Sequence, residues 1–176
     1  LKAMAGDAAD ASLESSRRRE RMTQFKEMAL AMHNYADSKK HFPARAILDQ
    51  EGRPLLSWRV AILPYLGPAE GVLYKQFHLD EPWDSPHNRA LIEKMPAVYD
   101  DPDPKLSELS EVGKTTYQVP VASETIFHDS DGTTIREVAD GTVKTILIAE
   151  VEPSRAVEWT KPADWEVDVQ SPLVGV

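Results

Sequence analysis

The sequence predicts an α+β protein on three observations. A long amphipathic helix opens the chain, short helices and proline-rich loops fill its middle, and β-prone runs close it. Helices first and strands afterwards, with no regular strand–helix alternation, is the order expected of α+β architecture.

The helix is predicted over Ser12 to Ser38. From Met22 onward, Met22, Phe25, Met28, Ala29, Met32, Tyr35 and Ala36 recur at the spacing of one helical face. Lys26, Glu27, Asn34 and Asp37 fall on the other side. Asp10 or Ser12 suits the N-cap, and Pro43 bars much further extension. Glu14 to Arg21 is polar and contains Arg17, Arg18, Arg19 and Arg21, charges that stay solvated. Residues 1–21 therefore read as a polar extension of the helix, and residues 22–176 as one domain. A helix packed along one half and free along the other suggests a stalk, although most amphipathic helices are plain core helices.

Past the break at His41-Phe42-Pro43, residues 49–54 read as a turn. Ser57 is placed to cap a short helix from Trp58 to Leu66, dense in apolar residues and therefore buried, with Pro64 limiting its regularity. Gly71 to Phe77 adds a further helical turn or two. Ser85 and Pro86 read as N-cap and first position of a helix through Lys94. Lys105 to Lys114 is polar and exposed.

The last third is β-prone. Thr115 to Val121 alternates like a strand, with Pro120 confining it to an edge or a strand end. Glu124 to His128 suggests a second short strand. Thr142 to Val151 is the strongest strand signal, apolar enough for burial on both faces. Ala156 to Thr160 is expected as its antiparallel neighbour across a turn at Glu152-Pro153-Ser154.

At 176 residues the chain can build one core, and no apolar run is long enough to span a bilayer. Twenty Lys and Arg against twenty-nine Asp and Glu give a charge of −9, which disfavours nucleic acid as a partner. The Arg17–Arg21 cluster is the exception. It reads most simply as a solvated helix face, and otherwise as a contact for lipid headgroups or an acidic neighbour. With no cysteine, disulfides, zinc thiolates and cysteine nucleophiles are ruled out.

The candidate sites are few. Asp129, Asp131 and Asp140, with Gly132 and Gly141, form the best cation candidate, because clustered carboxylates and turn carbonyls suit calcium. The run does not fit an EF-hand loop, and Asp and Gly dominate turns for conformational reasons alone. Asp80, Glu81 and Asp84 read as a structural loop rather than an acid–base pair. Trp159 and Trp165 are the aromatic candidates for a carbohydrate-binding surface, while Trp58 and Trp83 read as core. No nucleophile elbow, phosphate loop or histidine metal motif occurs, so no catalytic residue is assigned.

Four strings occur in order: FKEMALAMHNYADSKKHFP (25–43), GRPLLSWRVAILPYL (52–66), YKQFHLDEPWDSPHNRALIEKMPAVY (74–99) and IREVADGTVKTILIAEV (135–151). As a set they resemble the DUF1559 family, pilin-like proteins abundant in planctomycete bacteria and similar to type II secretion pseudopilins. AVEWTKPAD (156–164) resembles its C-terminal half, and Glu81 to Pro86 resembles the Pro-Trp-Gly-x-Pro loop of major pseudopilins. The resemblance implies a pilin-like fold, a long N-terminal helix packed on an antiparallel β-sheet. It also implies a non-enzymatic structural or assembly role in the cell envelope, outside the cytoplasm. Partners would be other protein subunits or further copies of the chain. Membrane contact is expected only through a segment outside this chain, since Leu1 to Arg21 is polar where pilins are apolar. Major pseudopilins bind calcium in a sheet loop, which strengthens the aspartate candidate without a residue-by-residue match. The alternative is an extracytoplasmic ligand-binding module, for carbohydrate among other ligands, using Trp159, Trp165 and the acidic loops.

Overall fold

The computed structural model describes residues 2–128, 131–138 and 145–168, with side chains described from residue 10 onward. Helix α1 spans Lys2–Lys39, 38 residues, or about 57 Å at about 1.5 Å per residue. It ends at Lys40, whose φ of 73° turns the chain out of the helix while its amide donates to Ala36 O at 2.8 Å. The buried face comprises Gln24, Met28, Ala31, Met32 and Ala36, with Phe25 and Tyr35 packed beside it. Met22, expected on that face, is half exposed. One position earlier, Arg21 makes the first ion pairs to the domain among the described residues.

Next comes the hairpin of β1 (Ala46–Leu48) and β2 (Pro54–Ser57), antiparallel, with Ala46 opposite Ser57. Ser57 caps α2 (Trp58–Ala61), as its position predicts, by accepting from Arg59 N at 3.2 Å. The helix predicted through Leu66 is two pieces, because Pro64 lacks an amide hydrogen. After Ile62 the chain resumes as α3 (Leu63–Leu66), then α4 (Pro68–Tyr74). The Ser85 cap holds as well, accepting from Asn88 N at 3.1 Å, but α5 is only Pro86–Arg89. A 3₁₀ turn at Ile92–Lys94 replaces its expected continuation, a second forms at Ala97–Tyr99, and α6 covers Ser107–Glu111.

The β region departs most from expectation. Residues 114–121 form three consecutive two-residue strands, β3 (Lys114–Thr115), β4 (Tyr117–Gln118) and β5 (Pro120–Val121). Thr115 to Val121 are all buried, so this run forms a rail through the domain, and Pro120 stands at the start of β5, a strand end as expected. Strand β6 (Ala149–Glu150) pairs antiparallel with β4, β7 (Val157–Glu158) pairs antiparallel with β3, and β8 (Trp165–Glu166) pairs parallel with β5. Among the described residues the expected pairing of the 142–151 and 156–160 runs does not form: β6 pairs with β4 and β7 with β3. The 124–128 segment is a turn, closed by Thr125 N donating to Ala122 O at 3.1 Å. The principal core gathers α1, α2, α3 and the rail around Trp58, Tyr99, Tyr117 and Trp159. The described residues are thus mixed helix and strand, with a long first helix and small, mainly antiparallel pairings.

Candidate functional site

Three groups of polar side chains distinguish this domain from a plain core. The deepest is built on Arg59, fully buried on α2 among Trp58, Val60 and Ile62. Its Nε and Nη2 donate to Tyr117 O at 2.9 and 2.7 Å, Nη1 to Ser57 Oγ at 2.8 Å, and Nη2 to Asp164 Oδ1 at 2.9 Å. Asp164 Oδ1 also accepts from Trp58 Nε1 at 3.0 Å and from Val119 N at 3.1 Å. Burial pushes the Asp164 carboxyl above its usual range, with Arg59 pulling against it. These bonds clamp α2, the rail and the C-terminal segment together. It is sealed from solvent and offers no place for a substrate.

The second group joins α1 to the domain. Arg21 Nη2 lies 3.1 Å from Asp101 Oδ1, and Arg21 Nε lies 3.0 Å from Glu150 Oε2. One helical turn further on, Gln24 donates to Ala97 O at 3.1 Å and Asp100 O at 2.7 Å, and accepts from Tyr117 Oη at 2.7 Å. Burial, followed by the charge of Asp101, pushes the Glu150 carboxyl up to about 7 against the pull of Arg21. Burial also raises the Tyr117 phenol, reinforced by Asp101 and Glu150. This cluster marks where the exposed part of α1 ends.

The third group lines an open groove of about 420 Å³ between the 83–84 loop, the 3₁₀ turn at Ile92–Lys94, the end of α6 and β7. Its carboxylates are Asp84, Glu93, Glu111 and Glu158, against one arginine, Arg89. The loop is held from beneath by the buried Asn88, whose Nδ2 donates to His78 O, Glu81 O and Pro82 O at 2.8, 3.1 and 3.2 Å. Trp83, expected in the core, is only half-buried, and Lys161 Nζ stands 5.3 Å from its ring centre. Sequence reasoning missed this groove because its carboxylates lie far apart along the chain. Only the likeness of the 81–86 loop to the pseudopilin loop pointed at any part of it.

The residues singled out from sequence fall elsewhere. Trp159 is fully buried, its Nε1 donating to Ile92 O at 2.9 Å and its ring against Tyr99 and Phe77. Trp165 is buried with Ala149 and Val151 in a small second core. Neither presents a ring to solvent, which corrects their assignment to a carbohydrate platform. Of the calcium candidates, Asp129 and Asp140 lie outside the described residues, and Asp131 is exposed. Its neighbour Gly132 adopts φ +79°, and a β-carbon there would collide with the Phe42 carbonyl oxygen. That glycine serves the close approach of the turn to the exit of α1, tied by Phe42 N donating to Thr133 O at 2.8 Å. Among the described residues, no group of three or more His, Asp or Glu side chains is arranged to hold a metal.

These features define an α+β domain with a projecting first helix, a sealed ionic clamp and an acidic open groove. The family described as "Protein of unknown function (DUF1559)" matches residues 12–108, more than half of the chain, and the protein belongs to that family. No curated protein and no solved structure matches the chain.

Proposed function

We propose that the protein is a non-enzymatic, pseudopilin-like cell-envelope component that works by assembly. In this reading α1 is the stalk and the α+β body is the head that makes contacts. The observation that carries it is the asymmetry of α1. Residues 10–20 are exposed apart from the partly covered Arg17, while from Gln24 onward every turn buries side chains in the core. Helices without tertiary packing are marginal in water, so an exposed helical half has its simplest use in an intermolecular contact. The likeness of the 25–43, 52–66 and 74–99 strings to pilin-like proteins supports the same reading, as does their place within the DUF1559 match. The ligand-binding alternative loses the aromatic platform of Trp159 and Trp165, which are buried, and would have to use the acidic loops.

The test is fractionation of native cells, followed by light scattering of the protein released from the envelope without detergent. Enrichment outside the cytoplasm, with a mass of several chains that falls on dilution, is the expected result. A cytoplasmic monomer would overturn the proposal.

A further inference from the structure

We propose that the acidic groove beside Trp83 is the docking surface for Arg18 and Arg19 on helix α1 of a second copy of this chain. The inference rests on the assembly reading above and gives it a specific contact.

The groove carries more carboxylates than cations, four against the one arginine, Arg89, that lines it. Glu158 has Lys114 at 3.9 Å, but among the described residues Asp84, Glu93 and Glu111 make no ion pair. Trp83 adds a second attraction for cations, because a positive charge over an indole face is held by the ring quadrupole. The ring already accepts one from its own chain, Lys161, at 5.3 Å. An open groove with carboxylates and an indole is suited to guanidinium groups, which form paired hydrogen bonds to carboxylates and stack on aromatic faces.

The chain also carries the complementary half. Of the four arginines between residues 17 and 21, two are engaged at home. Arg17 lies 3.4 Å from Glu14, and Arg21 is bound to Asp101 and Glu150. Arg18 and Arg19 are exposed, and among the described residues neither makes an ion pair. They stand on the projecting part of α1, just before the Arg21 cluster where the helix meets its own domain. At a net charge of −9, two copies repel over most of their surface. The Arg18–Arg19 pair is an exposed positive patch to which an acidic groove is attracted, so charge favours this contact over like-charged ones. Helix and groove are different surfaces, so the contact is heterologous and repeats from copy to copy, as a ring or an open chain.

The test is sedimentation velocity of the full chain over a dilution series, at low and high NaCl. Arg18→Glu/Arg19→Glu and Glu93→Lys/Glu111→Lys are measured alone and as an equimolar mixture. All four positions are exposed, and circular dichroism checks the fold. Should either reversal disturb folding, Arg18→Ala/Arg19→Ala and Glu93→Gln/Glu111→Gln replace it. The expected result is self-association that weakens with salt, is reduced about tenfold or more by each reversal alone, and returns on mixing the two. Association that ignores both reversals would overturn this contact and leave the assembly reading standing. Loss with the groove variant alone would mean that a different basic segment of the second copy occupies the groove, and would overturn Arg18 and Arg19 as its occupants. A wild-type chain that is monomeric at every concentration would overturn the assembly reading and the contact together.

Discussion

At the scale of single residues, the Arg59–Asp164 pair is the element on which the domain depends most. It gathers donors from α2 and the rail onto one carboxylate oxygen, with both side chains almost wholly buried. Removing one partner strands the other charge in the interior, so Asp164→Ala is expected to cost about 3–5 kcal/mol, read as a drop in the urea midpoint. A loss under about 1 kcal/mol would mean that solvent reaches Arg59. Glu150 offers a separate test. Its carboxyl titrates near 7 in the fold against an ordinary value of 4.5. Between those values the folded chain holds a proton that the unfolded chain has released. The stabilisation from that proton is therefore complete below about 4.5 and fades as pH rises through about 7. Glu150→Gln should melt close to wild type at pH 4 and above it at pH 8. A variant that melts lower at pH 8 would show that the ion pair with Arg21 outweighs the burial of the carboxylate.

At the scale of elements, legibility in the sequence followed how local each determinant was. The packed half and the end of α1, the Ser57 and Ser85 caps and the break at Pro64 were readable, because spacing, hydroxyl caps and a missing amide hydrogen act within a few residues. The start of α1 was not: the expected caps Asp10 and Ser12 lie inside a helix that begins at Lys2. The extent of the buried face was readable to within a turn. Met22 fits the periodicity but lies beside the Arg21 junction, where polar contacts to Asp101 and Glu150 take over from apolar packing. Strand partners were not readable. Strands of two residues carry almost no pattern, and the partners of β6 and β7 lie more than 30 positions away in sequence, at β4 and β3. Asp164 shows the same limit, since its partner Arg59 is 105 positions away. Trp159 and Trp165 are common to surfaces and cores, and only the fold decides between them. The two halves of α1 should also differ in dynamics. Backbone amides of residues 10–20 are expected to exchange with solvent at least about 100-fold faster than those of residues 28–36, measured on dilute monomer. Equal protection along the helix would contradict a half that lacks packing.

At the scale of the whole molecule, the charge of −9 and the cluster of arginines on α1 describe one design. In the proposed assembly the acidic body repels its copies in general, and the projecting helix offers a local attraction. Nothing in this scheme needs a catalytic centre. It needs a rigid join between helix and body, which Arg21, Gln24, Asp101, Glu150 and Tyr117 provide. The most direct test is cross-linking in native cells that express isotopically light and heavy copies together, with the linked peptides read by mass spectrometry. The account predicts mixed light–heavy links joining the 10–26 segment of α1 to the body around residues 83–114. Links found only within single copies, under conditions where other envelope assemblies are captured, would contradict it.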